Sequence, residues 1–177
     1  MKLRVSAGTS GNDQIGRNPS LTLYGFNAYN GTNAAVPAQF GDPNLGWEQS
    51  ITMGAGVEFG LFNDRLTGVF DYYKRKTTDL LLNVPITFTQ GGGSVLKNIG
   101  EIENSGLEFE LNASLMNKAD FSWNMSGNLS TVSTEITDLG GLTELPQQIF
   151  GQSGRGPVFR NYVGGNIGEM WGLQTIG

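Results

Sequence analysis

Few residues in this chain of 177 have the type and spacing for chemistry. Glu108 and Glu110 stand two apart in LEFEL, so on a strand both carboxylates share one face, as a glycosidase acid/base pair would. Neighbouring carboxylates on one strand face also suit a plain solvated surface, and no second motif joins them. Glu101 and Glu103 add local negative charge without the wider oxygen cluster that calcium needs. Gly54, Gly56 and Gly60 spell G-x-G-x-x-x-G, one residue off the dinucleotide fingerprint. They fall inside a strand rather than at a helix start, so they read as packing glycines. The run from Gly91 to Ser94 lacks the lysine of a phosphate loop and reads as a flexible connection.

The chain contains no His and no Cys. Within these residues that excludes Ser-His-Asp and Cys-His nucleophilic sites, Cys/His zinc sites and a disulfide framework. Carboxylate, Lys or Tyr chemistry and oxygen-ligated metals stay open. The net charge is −5, from 16 acidic and 11 basic residues, with no basic patch dense enough for nucleic acid. The expectation is a chain that is not an enzyme, with no catalytic residue, no metal and no cofactor.

The elements that would position these residues are strands. The 27 glycines are about twice the average share, which suits a β protein with many turns. In ITMGAGVEFGL, Ile51, Met53, Ala55, Val57, Phe59 and Leu61 oppose Thr52, Gly54, Gly56, Glu58 and Gly60. After a turn at Phe62-Asn63-Asp64, Leu66, Gly68, Phe70 and Tyr72 oppose Thr67, Val69, Asp71 and Tyr73. Leu107, Phe109, Leu111, Ala113 and Leu115 oppose Glu108, Glu110, Asn112 and Ser114, and the short turn Asn117-Lys118-Ala119-Asp120 follows. Phe121, Trp123, Met125, Gly127 and Leu129 then oppose Ser122, Asn124, Ser126, Asn128 and Ser130. Period-two alternation of this kind marks strands with unlike faces, and a one-residue slip would reverse every face.

Tight turns contrast with long irregular connections at 27–49, 77–104 and from Leu139 onward. Short turns alternating with long loops suit a transmembrane barrel, and a soluble antiparallel sheet can share them. From Ser50 to Leu61 and from Phe121 to Ser130 the polar faces carry Gly, Ser, Asn and Thr, with one Glu and no Lys, and such small neutral residues suit a barrel lumen. No run of about 18 apolar residues is present, which excludes a membrane-spanning helix and leaves a barrel open. The length allows one ordinary domain and a sizeable core. Ser6, Gly8, Thr9 and Ser10 arrive before any apolar segment forms, so no signal peptide is expected.

Four ordered blocks carry a family resemblance. DPNLGWEQSITMGAGVEFGLFNDRLTGVFDYYKRKTTDLL, from Asp42 to Leu81, resembles a signature of the SusC/RagA-type TonB-linked outer-membrane receptors. LRVSAGTSGNDQIG at Leu3 to Gly16 is similar to an earlier barrel strand and its loop. NIGEIENSGLEFELN at Asn98 to Asn112 and the final GNIGEMWGLQTIG match further family blocks.

The resemblance implies an all-β fold of antiparallel strands and hairpins, part of a roughly 22-stranded transmembrane barrel and incomplete here. Residues 1–177 would be a partial barrel of about six to eight strands, without plug, signal peptide or closing terminal strand. The apolar faces would meet outer-membrane lipid, with Tyr72 and Trp123 as interface aromatics, and the small polar faces would line the lumen. Asn112, Asn124 and Asn128 fit the glycosylation sequon, by chance if they face the lumen of a bacterial protein.

The parent protein would sit in the bacterial outer membrane. It would import a glycan, an oligosaccharide or a peptide with a SusD-like surface lipoprotein. The TonB complex would act through parts outside this chain, and nucleic acid is not an expected partner. Phe40, Trp47 and Phe88, in predicted loops, are the candidates for ligand contact. The alternative is a soluble or secreted β-sandwich that binds a polymer or acts as an adhesin.

Overall fold

The computed structural model describes residues 1–29, 32–87, 89, 91–145 and 159–170. Among them are eleven strands: β1 (Lys2–Asn12), β2 (Leu23–Tyr29), β3 (Thr32–Gln39), β4 (Glu48–Leu61), β5 (Leu66–Thr78), β6 (Leu81–Pro85), β7 (Ser94–Asn98), β8 (Glu101–Lys118), β9 (Phe121–Asp138), β10 (Phe159–Arg160) and β11 (Glu169–Met170). Five form one sheet in the order β1-β4-β5-β8-β9, and β2-β3, β6-β7 and β10-β11 are separate two-stranded pairs.

Tight turns make β4-β5 and β8-β9 antiparallel neighbours in the five-stranded sheet. Phe62–Arg65 joins β4 to β5, and Ala119-Asp120 joins β8 to β9. Residues Phe62, Asn63 and Asp64 all adopt positive φ, at 58°, 54° and 58°, and the turn closes with Arg65 N–H donating to Phe62 O. Left-handed residues match the twist of the flanking strands, and Asn and Asp tolerate that region best. Between β5 and β8, Ser114 N–H donates to Arg65 O at 2.7 Å, so the start of one strand lies beside the end of the other.

The chain divides into two compact units. The first comprises Met1–Ser10, Ser50–Lys76 and Glu103–Glu135, and the second comprises Gly11–Gln49, Thr77–Ile102 and Ile136–Gly177. The first unit holds the wall of paired strands and both tight turns. The second holds the long connections after β1, β5 and β9, with their small hairpins.

The expected sizeable core is not what forms. The buried hydrophobic side chains among the described residues are Val95, Ile136 and Leu139, all in the second unit. In the first unit many large apolar side chains are exposed, and on β4 exposure alternates with the sequence pattern. Met53 is 61% exposed, while Thr52 and Gly54 beside it are half-buried and Gly56 is buried. The side chains of that face are exposed among the described residues, and an exposed face builds no core. A β-sandwich would cover that face with a second sheet, whereas among the described residues it is exposed.

The strand count also differs from the six to eight expected in the wall. Among the described residues five strands form it, and the other six pair locally. Wall strands run longer than alternation implied, with β8 and β9 each spanning 18 residues.

Candidate functional site

The first candidate surface is the apolar face of the wall. From Ile51 to Leu61 the outward residues of β4 cover ten steps of roughly 3.3 Å, about 33 Å along the strand. A barrel tilt near 40° reduces this to about 25 Å of height, the thickness of an outer-membrane apolar band. Phe59 lies flat over Gly68, where an added Cβ would meet the ring at 2.3 Å. With Asp71 over Gly56, that contact puts Val57 and Phe70 at one level, and Tyr73 beside Gly106 brings Phe109 to the same level on β8. Trp123 and Phe121, 53% and 57% exposed, stand near a tight turn, and Tyr72 stands level with Ala55, near the middle of the apolar run of β4. So large an exposed apolar patch marks a lipid or protein contact rather than a wetted surface.

The opposite face is polar, and its charges are organised across strands. Arg4 on β1 donates from Nη2 to both Asp71 carboxylate oxygens on β5, at 2.9 and 2.7 Å. Its Nη1 lies 2.9 Å from Glu58 on β4, and Lys2 lies 3.7 Å from the same carboxylate. The bidentate pair passes over Gly56, where a Cβ would stand 1.8 Å from Asp71 Oδ1. Only glycine lets a side chain cross β4 to reach β1, and this gives Gly56 a specific role beyond packing. Arg75 Nε donates to Thr52 Oγ1 at 3.1 Å on the same face.

Glu108 and Glu110 line an open cleft of about 270 Å³ with Asp71, Asn128 and Ser130. Asn112 donates to Glu110 at 2.9 Å. This is a wet, hydrogen-bonding wall that carries charge without enclosing it. Among the described residues no group of three or more Asp and Glu is placed to hold a metal ion.

The second unit is stitched by one amide. Asn98, ending β7, accepts from Gly46 N–H at 2.6 Å and donates to Gly46 O and Asp79 O, both at 2.9 Å. It pairs with Gly46 as a strand neighbour would, and fixes the connection 42–47 against the start of β6. Glu48 adds two bonds, accepting from Leu81 N–H at 2.9 Å and from Asn12 Nδ2 at 2.8 Å. Further along, Glu144 pairs with Arg160, whose guanidinium stands 5.6 Å over the Tyr162 ring. The Tyr162 hydroxyl donates to Glu169 at 2.9 Å; that bond, and the negative charge of its acceptor, raise the phenol pKa.

The three loop candidates separate. Phe40 forms a parallel bridge with Val95 and lines an open cleft of about 500 Å³. Trp47, 64% exposed, lies against Gly11 of β1, where a Cβ would meet its ring at 3.2 Å. Phe88 lies outside the described residues, as does Trp171. Sequence reasoning missed Arg4, Asn98 and Asn83 as structural or cleft residues, because their partners are far away in the chain and no spacing announces them.

Comparison with known proteins agrees with this geometry. The family described as TonB dependent receptor-like, beta-barrel, matches residues 1–165. A TonB-dependent receptor of Formosa agariphila is 34% identical over 179 residues, covering 100% of this chain and 16% of that protein. The TonB-dependent receptor SusC of Bacteroides thetaiotaomicron is 39% identical over 155 residues, covering 80% of this chain and 15% of SusC. Among solved structures, the RagAB peptide transporter superposes with a TM-score of 0.78 at 28% identity, covering 95% of this chain and 18% of that one. The chain thus spans about a sixth of the length of the relatives it matches. An apolar band, a charged opposite face and these matches agree that the chain belongs to the TonB-dependent receptor β-barrel family, of the SusC/RagA type found in the outer membrane.

Proposed function

We propose that the protein to which these residues belong is an energised importer. It takes a glycan, an oligosaccharide or a peptide across the outer membrane, with a SusD-like surface lipoprotein as partner and TonB as the source of energy. Residues 1–177 supply barrel wall and external loops. The plug, the TonB contact and the strands that close the wall lie elsewhere in the protein.

The observation that carries this reading is the two-faced sheet. Its apolar side chains are exposed on one side, while Arg4, Glu58, Asp71, Glu108 and Glu110 hold the other side wet. A wall of this kind, closed by further strands of the protein, would enclose an aqueous path with every edge paired, as hydrocarbon demands. The relatives this chain resembles are receptors, and that supports a role in transport for these residues.

Uptake in cells tests the proposal. Fluorescently labelled oligosaccharides and peptides are offered to cells with and without the complete protein, and with TonB present or deleted. Accumulation should require both. Accumulation that persists without TonB would refute the energised-importer reading.

A further inference from the structure

The outward face of the wall does not stay apolar to its end. Alternation carries the lipid-side positions of β5 from Tyr72 on to Lys74 and Lys76. On β8, Leu107 gives way to Ser105 and Glu103, and on β9 Leu129 gives way to Thr131, Ser133 and Glu135. Tyr73 against Gly106 sets Lys76 beside Glu103, and Thr134 bonded to Asn104 sets Glu103 beside Glu135. Lys74 Nζ lies 2.7 Å from the Glu103 carboxylate, and both side chains stay accessible, at 50% and 31%. All of these residues belong to the first unit, at the end away from its tight turns.

The limit of the apolar band crosses the sheet obliquely. Gly54 and Gly56 place Met53 beside Lys74 and Ile51 beside Lys76, so β4 is still apolar where β5 is charged. At the other end β5 stops at Leu66, whereas β8, whose Ser114 lies beside Arg65, runs on to Leu115, and β9 to Phe121. A slip in the same sense at both ends is what tilted strands produce when a level membrane crosses them. An ammonium in hydrocarbon is costly, so the apolar layer ends below Lys74 and Lys76. The long connections leave from this end, the outer side in such barrels. The two lysines therefore stand at the headgroup level of the outer leaflet.

We propose that Lys74 and Lys76 bind the phosphate of an outer-leaflet lipid, an inference that needs the membrane-facing wall and not the importer reading. Their stems lie along Met53 and Ile51, and their charged heads reach past these toward water. An ammonium has three donors, and the Glu103 bond takes one from Lys74, so the carboxylate aims that lysine without saturating it. Continuity with the apolar band makes a lipid the occupant. The acyl chains of one molecule would lie on Ile51, Met53 and Tyr72 while its phosphate meets the lysines. Glu103 competes with that phosphate, so its removal should strengthen binding.

The test uses the complete receptor, stripped of lipid in non-ionic detergent, and fluorescent lipid A, a bisphosphorylated glycolipid, as the probe. Binding should saturate, and Lys74→Gln with Lys76→Gln should weaken it about tenfold to thirtyfold. Glu103→Gln should tighten it about threefold. Arginine at both lysine positions should retain it, and heat-modifiable migration on gels checks that each variant keeps its barrel. Unchanged binding in the double glutamine variant would overturn the proposal. So would failure of the probe to bind, or equal binding of lipid A stripped of its phosphates, a comparison that needs no variant. Full displacement by inorganic phosphate at the concentration of the probe would reveal a free-phosphate site and overturn the lipid assignment. TonB-dependent uptake is read separately, so the importer proposal can survive the loss of this site.

Discussion

Val69 and Phe70 are adjacent in β5 and point to opposite faces, so a lysine at each position tests the wall directly. Phe70 stands level with Val57 and Phe109, near the middle of an apolar band about 25 Å high. A lysine placed on the lipid face at that depth costs about 2–4 kcal/mol, which is roughly a 30- to 1000-fold drop in the folding equilibrium constant. Val69 lines the cleft that holds Asp71, Glu108 and Glu110, so Val69→Lys places its ammonium in water beside three carboxylates. Its expected effect is within about 0.5 kcal/mol of zero, and favourable if anything.

The assay is guanidinium unfolding of the complete receptor refolded into liposomes, followed by tryptophan fluorescence. Phe70→Lys should lower stability by the stated amount, and Val69→Lys should leave it nearly unchanged. Equal losses would mean that the two faces meet similar surroundings. A larger loss for Val69→Lys would mean that the faces are reversed, and the reasoning would fail.

Three other outcomes follow from the same geometry. Gly56→Ala should push Asp71 off Arg4 and cost about 1 kcal/mol, the scale of a partly exposed ion pair. In an Asp71→Ala background most of that loss should vanish, which a double-mutant cycle on the same unfolding curves would read. Asn98→Ala removes three hydrogen bonds from the second unit and should cost about 1–3 kcal/mol locally; limited proteolysis should then cut within 42–47 while the wall stays protected. Tyr162 has its phenol pKa raised chiefly by the hydrogen bond to Glu169. The neutral phenol is thus the bound form, and its contribution to local stability is complete below the ordinary phenol range and fades as pH rises through the raised value. Ultraviolet titration, taken as the difference from Tyr162→Phe, should show that upward shift, and Glu169→Gln should diminish it.

The wall was legible because its physics is local. Ile51 to Leu61, Leu66 to Tyr72, Leu107 to Leu115 and Phe121 to Leu129 alternate, each occupies a strand, and on β4 exposure follows the face expected. The ends of those strands were not legible. Beyond Leu107 and Leu129 the residues are mostly polar, such as Glu103, Asn104, Thr134 and Glu135, and alternation weakens where the strands continue.

The hairpin β2-β3 was missed for a related reason. Its Asn, Ala, Gly and Pro composition carries little β signal, and its pairing comes from the register of Leu23–Tyr29 against Thr32–Gln39. Arg4 and Asp71 lie 67 residues apart, and Asn98 reaches Gly46 across 52. No spacing rule covers such distances. Of the loop aromatics, Phe40 reaches a cleft, while Trp47 is spent on Gly11.

The measurement that tests the central claim most directly uses the absence of cysteine from these residues. Single cysteines at Met53 and Thr52, and at Met125 and Asn124, are introduced one at a time into the complete receptor in outer-membrane vesicles. Each is challenged with a water-borne maleimide and with a bilayer-confined quencher of an attached fluorophore. The account predicts that Met53→Cys and Met125→Cys are quenched from the lipid and shielded from the maleimide, with Thr52→Cys and Asn124→Cys behaving in the opposite way. Equal access from water at all four positions would contradict a membrane-facing wall.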